Sequence, residues 1–100
     1  VVETFRDQPP PNRTGRFLVA QRFDAGMRQA ELSLELTAGS GVSAIVYDVR
    51  GRERVRVWNG PLSSGVHLLR WDAGELETGV YYLRVLANPK GVVQRFAIVR

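Results

Sequence analysis

The sequence predicts an all-β domain, an antiparallel sandwich of seven short strands. Apolar residues recur at a spacing of two in one segment after another, the period of a strand with one dry and one wet face. Fourteen valines and nine aromatics, residues that suit a pleated and half-buried surface, concentrate in those segments. Turn chemistry separates the segments, and strand starts recur about every twelve residues. Seven such strands in about 90 residues match an immunoglobulin-like β-sandwich without the cysteine pair of antibody domains.

The first strand is expected over residues 16–23, where Phe17, Val19 and Phe23 share a parity. The second covers 30–37, with Leu32, Leu34 and Leu36 alternating with Glu31, Ser33 and Glu35. Residues 25–36 also fit a helical stripe through Met27, Ala30 and Leu34, but the strict leucine alternation favours a strand. Residues 42–49 are almost continuously apolar, which points to burial toward both sides or a central place in a sheet. Asp48-Val49-Arg50-Gly51 then reverses the chain, the aspartate bonding the backbone ahead and the glycine able to take positive φ. A strand over 53–58 is closed by Asn59-Gly60-Pro61, and a fifth spans 66–71. The sixth, 80–86, leads through an Asn88-Pro89-Lys90-Gly91 turn to a seventh over 92–99. Gly39-Ser40-Gly41 is expected in a hairpin connection. The expected core is Phe17, Leu34, Val46, Val57, Leu69, Trp71, Tyr81, Leu83, Phe96 and Ile98.

The chain of 100 residues suffices for one core, and 44% hydrophobic with 24% charged residues is ordinary globular composition. Ahead of the sandwich, assigned to residues 14–100, residues 1–13 read as a linker, since Gln8-Pro9-Pro10-Pro11-Asn12 favours an extended polyproline conformation. A start at Val1 without methionine suggests a piece of a longer protein. With no cysteine, disulfides, thiolate metal sites and cysteine nucleophiles are excluded. No apolar run reaches the ~18 residues of a membrane-spanning helix, so no transmembrane segment is expected.

The formal charge is +4, and thirteen of the fourteen basic residues are arginine. The arginines are spread from Arg6 to Arg100, and only Arg50, Arg52, Arg54 and Arg56 cluster. Their spacing of two places them on the solvent face of one strand, so no nucleic-acid partner is expected.

Catalysis lacks its parts. His67 is the single histidine, in mid-strand on the face of Leu69 and Trp71, and reads as structural. There is no nucleophile elbow, no phosphate-binding loop and no His-Glu-x-x-His pair. Asp24, Asp48 and Asp72 read as turn caps, because no segment has the dense acidic ladder of a calcium loop. Neither a metal nor a cofactor is expected. Trp58, Trp71, Tyr81 and Tyr82 raise sugar stacking as an alternative, in which Trp58 and Tyr82 have the better claim to exposure.

Three separated pieces share a further likeness. Tyr47-Asp48-Val49-Arg50-Gly51-Arg52-Glu53-Arg54-Val55 resembles a YDxxGxxV hairpin, and Gly65-Val66-His67-Leu68-Leu69-Arg70-Trp71-Asp72 resembles a GxhxxxWD strand. Leu76-Glu77-Thr78-Gly79-Val80-Tyr81-Tyr82-Leu83-Arg84-Val85 resembles LxxGvYxlrv. Together they resemble the C-terminal sorting domain of type IX secretion cargo, a pattern shared with the immunoglobulin-like domain of the flagellar hook-capping protein. Pro11-Asn12-Arg13-Thr14-Gly15-Arg16-Phe17 is similar to that family's opening PNPxxGxf, with Arg13 in place of the second proline. Asp72-Ala73-Gly74 departs from its usual Trp-Asp-Gly.

The resemblance implies a non-catalytic domain following an upstream cargo domain in the same chain. It would direct the cargo through the periplasm to the outer-membrane secretion machinery, ending secreted or at the cell surface. Its motif residues here are Tyr47, Asp48, Gly51, Gly65, Trp71, Asp72, Gly79 and Tyr81. Recognition is expected on the last strand and its end, Val92, Val93, Gln94, Arg95, Phe96, Ala97, Ile98, Val99 and Arg100, because a sheet edge offers free backbone donors and acceptors. Phe96 and Ile98 should pack inward, with Gln94 nearer the exposed start of the strand and Arg95 and Arg100 available to solvent or a partner. The rival classes are a carbohydrate- or surface-binding module and a structural spacer.

Overall fold

The computed structural model describes residues 17–87 and 90–100, with the backbone alone for Phe17 and Leu18. Seven strands organise it: β1 (Phe17–Phe23), β2 (Gln29–Leu36), β3 (Ser40–Asp48), β4 (Glu53–Leu62), β5 (Gly65–Asp72), β6 (Gly79–Ala87) and β7 (Lys90–Ile98). They form a three-stranded sheet in the order β1-β2-β5 and a four-stranded sheet in the order β4-β3-β6-β7. Every pairing is antiparallel. The chain is thus an all-β sandwich of immunoglobulin-like character, and among the described residues there is no helix. In constant-type immunoglobulin domains the fourth strand joins the first, second and fifth. Here it pairs with the third, so it belongs to the β3-β6-β7 sheet and leaves β1, β2 and β5 as a sheet of three.

Alternation decides which side of each strand is dry. On β2, Ala30, Leu32, Leu34 and Leu36 are buried, and facing them are Val42, Ala44 and Val46 from β3 and Tyr81, Leu83 and Val85 from β6. Burying a large aliphatic or aromatic side chain contributes ~1.5–3 kcal/mol, so these inner rows hold the sheets together. At one end, Phe23, Trp71, Tyr81 and Phe96 make an aromatic cluster. Trp71 meets Phe23 edge-on at 5.9 Å and Phe96 at 6.1 Å between ring centroids, and Tyr81 stacks on Phe96 at 5.9 Å. Of the expected core, Val57 and Leu69 are half-buried against it, the others described are buried, and the side chain of Phe17 lies outside the described residues.

Four expectations need correction. Asn59-Gly60-Pro61 does not end β4, which runs on to Leu62 and pairs Asn59 with Ser43 and Pro61 with Gly41. β4 is an edge strand, where the N–H that proline lacks need not be part of a ladder. Gly60 lies against the Trp58 indole, whose Nε1 donates to the Gly60 carbonyl at 3.1 Å. Gly39-Ser40-Gly41 lies where the chain crosses between sheets, from β2 into β3, instead of in a hairpin.

The arginine run is not one row. Register shifts between Ala44 and Ile45 and between Val46 and Tyr47 mark bulges in the β3–β4 pairing, and a bulge reverses side-chain parity. Only the second falls within the run, at Arg54, and Arg50 and Arg52 precede β4 in the turn; Arg52 and Arg54 pair with Asp48, while Arg56 bonds Glu53. Finally, β7 begins at Lys90, so Lys90 and Gly91 belong to the strand, whereas Asn88, Pro89 and the linker 1–13 lie outside the described residues. Gly91 sits under Leu86, since a Cβ there would approach Leu86 Cδ2 to 2.7 Å.

Candidate functional site

Each motif residue has a local task in the fold. Asp48 ends β3, and its Oδ1 accepts the backbone N–H groups of Arg50 and Arg52, both at 2.9 Å, while Oδ2 accepts Arg52 Nε at 3.2 Å. The Arg52 amide bond, reinforced by the Arg50 amide and the Arg52 guanidinium, holds the Asp48 carboxyl below its ordinary range. Gly51 closes the same turn at φ +84°, its N–H donating to the Asp48 carbonyl, a conformation that L side chains resist. Gly65 opens β5 at φ +119°.

Trp71 enters the aromatic cluster, and Asp72 Oδ1 accepts the Gly74 N–H at 2.8 Å. Gly79 begins β6 beside the Tyr81 ring, and the Tyr81 hydroxyl donates back to the Glu77 carbonyl at 2.7 Å, the bond of a tyrosine corner. Arg54 lies over the Tyr81 ring at 6.0 Å. Tyr47 is half-buried on the outer face, directly opposite Tyr82. Asp24 likewise caps Arg28 and Gln29, and those amides hold its carboxyl low. All three aspartates read as turn caps thus bond backbone amides.

The last strand has a different character. β7 is an edge of the four-stranded sheet and pairs with β6 from Gly79–Ile98 to Ala87–Lys90. Phe96 and Ile98 are buried as expected, and Val92 packs half-buried on the core. Val93, Arg95 and Val99 are exposed, and Ala97 is half-buried.

One expectation for this strand fails. Gln94 is buried at 3% exposure, because its Nε2 donates to the Val19 carbonyl of β1 at 3.0 Å and bridges the two sheets. Arg100 is exposed, yet it is bonded at several points. Its guanidinium donates Nε to the Leu76 carbonyl (3.0 Å), Nη1 to Gly26 (2.9 Å) and Nη2 to Ala73 (2.6 Å), and its backbone N–H bonds Thr78 Oγ1. A rigid fork of donors suits such a fan of acceptors, and it fastens the end of the chain to the β1–β2 turn and the β5–β6 loop. Nothing in the local sequence signals either contact.

The residues weighed for other chemistry also have places. His67 is half-buried, its Nε2 within 2.8 Å of the Ser63 carbonyl. Trp58 is half-buried against the core, Tyr82 is half-buried and Trp71 is buried. Among the described residues, no three His, Asp or Glu side chains gather into a metal-binding group, and no helix is long and apolar enough to cross a membrane. No known family profile matches the chain, and no curated protein matches it.

Proposed function

We propose that this chain is the sorting domain of a larger secreted protein, and that it directs its cargo through a type IX outer-membrane translocon to the cell surface. The observation that supports this reading is the edge position of β7. One side of the strand is fixed by the β6 ladder and the inward Phe96 and Ile98, while Val93, Arg95 and Val99 face outward. A partner strand laid along such an edge is read through its backbone, and the alternate outward side chains supply selectivity. The three motif pieces act here as folding elements that present the strand: a capped turn, an aromatic core strand and a tyrosine corner. The domain carries no catalytic step in this reading.

The test is export of a folded reporter fused ahead of the chain in a host with type IX secretion. The intact fusion should reach the surface, and a fusion lacking β7 should not. Because that deletion also removes core residues, a second variant carries Val93→Ser and Arg95→Ala, both at exposed positions. It should stay folded by circular dichroism and export less reporter. Surface delivery without β7, or no export by the intact fusion, refutes the proposal. Arg100 is left unchanged, since its loss would loosen two loops.

A further inference from the structure

The outer faces of the two sheets differ in charge. On the three-stranded sheet, the outward row holds Arg22 and Arg70 with Glu31, Glu35 and Asp72, and Arg70 pairs with Glu31 at 3.5 Å. On the four-stranded sheet it holds Arg56, Arg84 and Arg95 with Glu53 alone, and Arg56 already takes both oxygens of Glu53, at 3.1 and 3.2 Å. Arg84 faces Ile45 and Val93 across the strands, and Arg95 faces Tyr82. Neither has an ion pair among the described residues, so two exposed guanidinium groups stand without an acid on an apolar and aromatic floor.

The same face holds a groove of about 560 Å³, lined by Gly41, Ser43, Asn59, Pro61, Leu86 and Lys90 among others. Gly41, Pro61 and Leu86 make much of its wall apolar, and Lys90 is its one charge. Arg84 is two residues from Leu86 on β6, about 7 Å along a strand, and borders the groove, while Arg95, opposite Tyr82, lies about 13 Å along the strand direction from Leu86. We infer that this face docks an acidic polypeptide segment, with one large apolar side chain in the groove and flanking carboxylates on Arg84, Arg95 and Lys90.

The charge pattern favours polypeptide over nucleic acid. Three cations are few for tracking a phosphate backbone, and Tyr47 and Tyr82 are half-buried side by side instead of standing free for bases to stack on. The inference concerns the sheet face and shares only Arg95 with the export reading. It is tested in solution without a secretion system.

The probe is a synthetic glutamate-rich peptide with one central leucine, titrated into the purified, isotope-labelled chain. Backbone signals of Ser43, Arg84, Leu86 and Lys90 should move, and those of Ser33 and Leu68 on the opposite face should stay. Arg84→Glu with Arg95→Glu, two exposed sites, should weaken binding at least about tenfold through like-charge repulsion. Gly41→Leu places an apolar side chain in the groove, where a Cβ meets nothing within 4 Å. It should erase the advantage of the leucine peptide over its serine counterpart. The inference is overturned by absent binding, by shifts on the other face, or by a double variant that binds equally well. Tighter binding of single-stranded DNA or heparin overturns it too, as does self-association of the chain through this face.

Discussion

Replacing Trp71 measures how far the aromatic cluster supports the sandwich. The indole is 5% exposed, meets Phe23 and Phe96 edge-on, and lies on β5, an edge strand held to its sheet by β2 alone. Truncating a buried tryptophan to alanine costs about 3–5 kcal/mol, and each edge-to-face pair adds ~0.5–1.5 kcal/mol beyond area. The loss from Trp71→Ala should therefore approach the upper part of that range. For a domain with ~5–15 kcal/mol in all, that is a large share. Trp71→Phe is the informative partner. The indole Nε1 is buried without a hydrogen-bond partner among the described residues, so phenylalanine removes an unpaired donor while keeping a ring in the cluster, and it should cost less than half as much. Urea unfolding followed by far-UV circular dichroism gives both values. A Trp71→Ala midpoint equal to that of the parent would refute the packing argument, and a Trp71→Phe loss as large as that of alanine would show that the indole N–H is bonded.

Gln21 is 5% exposed, and neither amide atom has a hydrogen-bond partner among the described residues. Since a buried unpaired polar group costs about 1–3 kcal/mol, Gln21→Leu should raise the urea midpoint, and a lower midpoint would show the amide satisfied in the folded state. Asp48 has a depressed folded-state pKa, so its turn contacts contribute stability above its unfolded value and lose it as pH falls through the folded one. The melting temperature of the parent should drop as pH falls below about 4, and that of Asp48→Asn should drop less over the same interval; parallel curves would count against the assignment.

Periodicity made most of the core legible. The alternation of Leu32, Leu34 and Leu36 fixed both the strand and its dry side, and the parity of Phe96 and Ile98 did the same for β7. Asp48 with Gly51 was legible as a turn because one residue type supplies the acceptor and the other the positive φ. The misread features share a cause: each depends on a residue's neighbours in space. Asn59-Gly60-Pro61 has the composition of a turn, but an edge position and the Trp58 indole make it strand. Spacing alone put Arg50, Arg52, Arg54 and Arg56 in one row, and the turn that holds the first two and a bulge at Arg54 undid it. Gln94 has the parity of the core and the polarity of the surface, and only the Val19 carbonyl across the sandwich decides between them. The carbonyls that bind Arg100 are 24 to 74 residues away in sequence.

These long-range contacts bear on how a partner would meet β7. β7 is fastened at three places: by its ladder to β6, by Gln94 to β1, and by Arg100, just beyond it, to two loops. β1 and β7 are the edges of their sheets on the same side of the sandwich, so the Gln94 amide spans the opening beside which an added strand would lie. A partner pairing with the free edge of β7 would compete with the cover that β1 provides there, and Gln94 with its one unbonded oxygen is the polar point of that seam. A partner reading only side chains meets Val93, Arg95 and Val99 and leaves the seam closed. The two modes differ physically: edge pairing should increase amide exchange in β1 and respond to Gln94→Leu, whereas side-chain reading should respond to Arg95 and leave β1 protected.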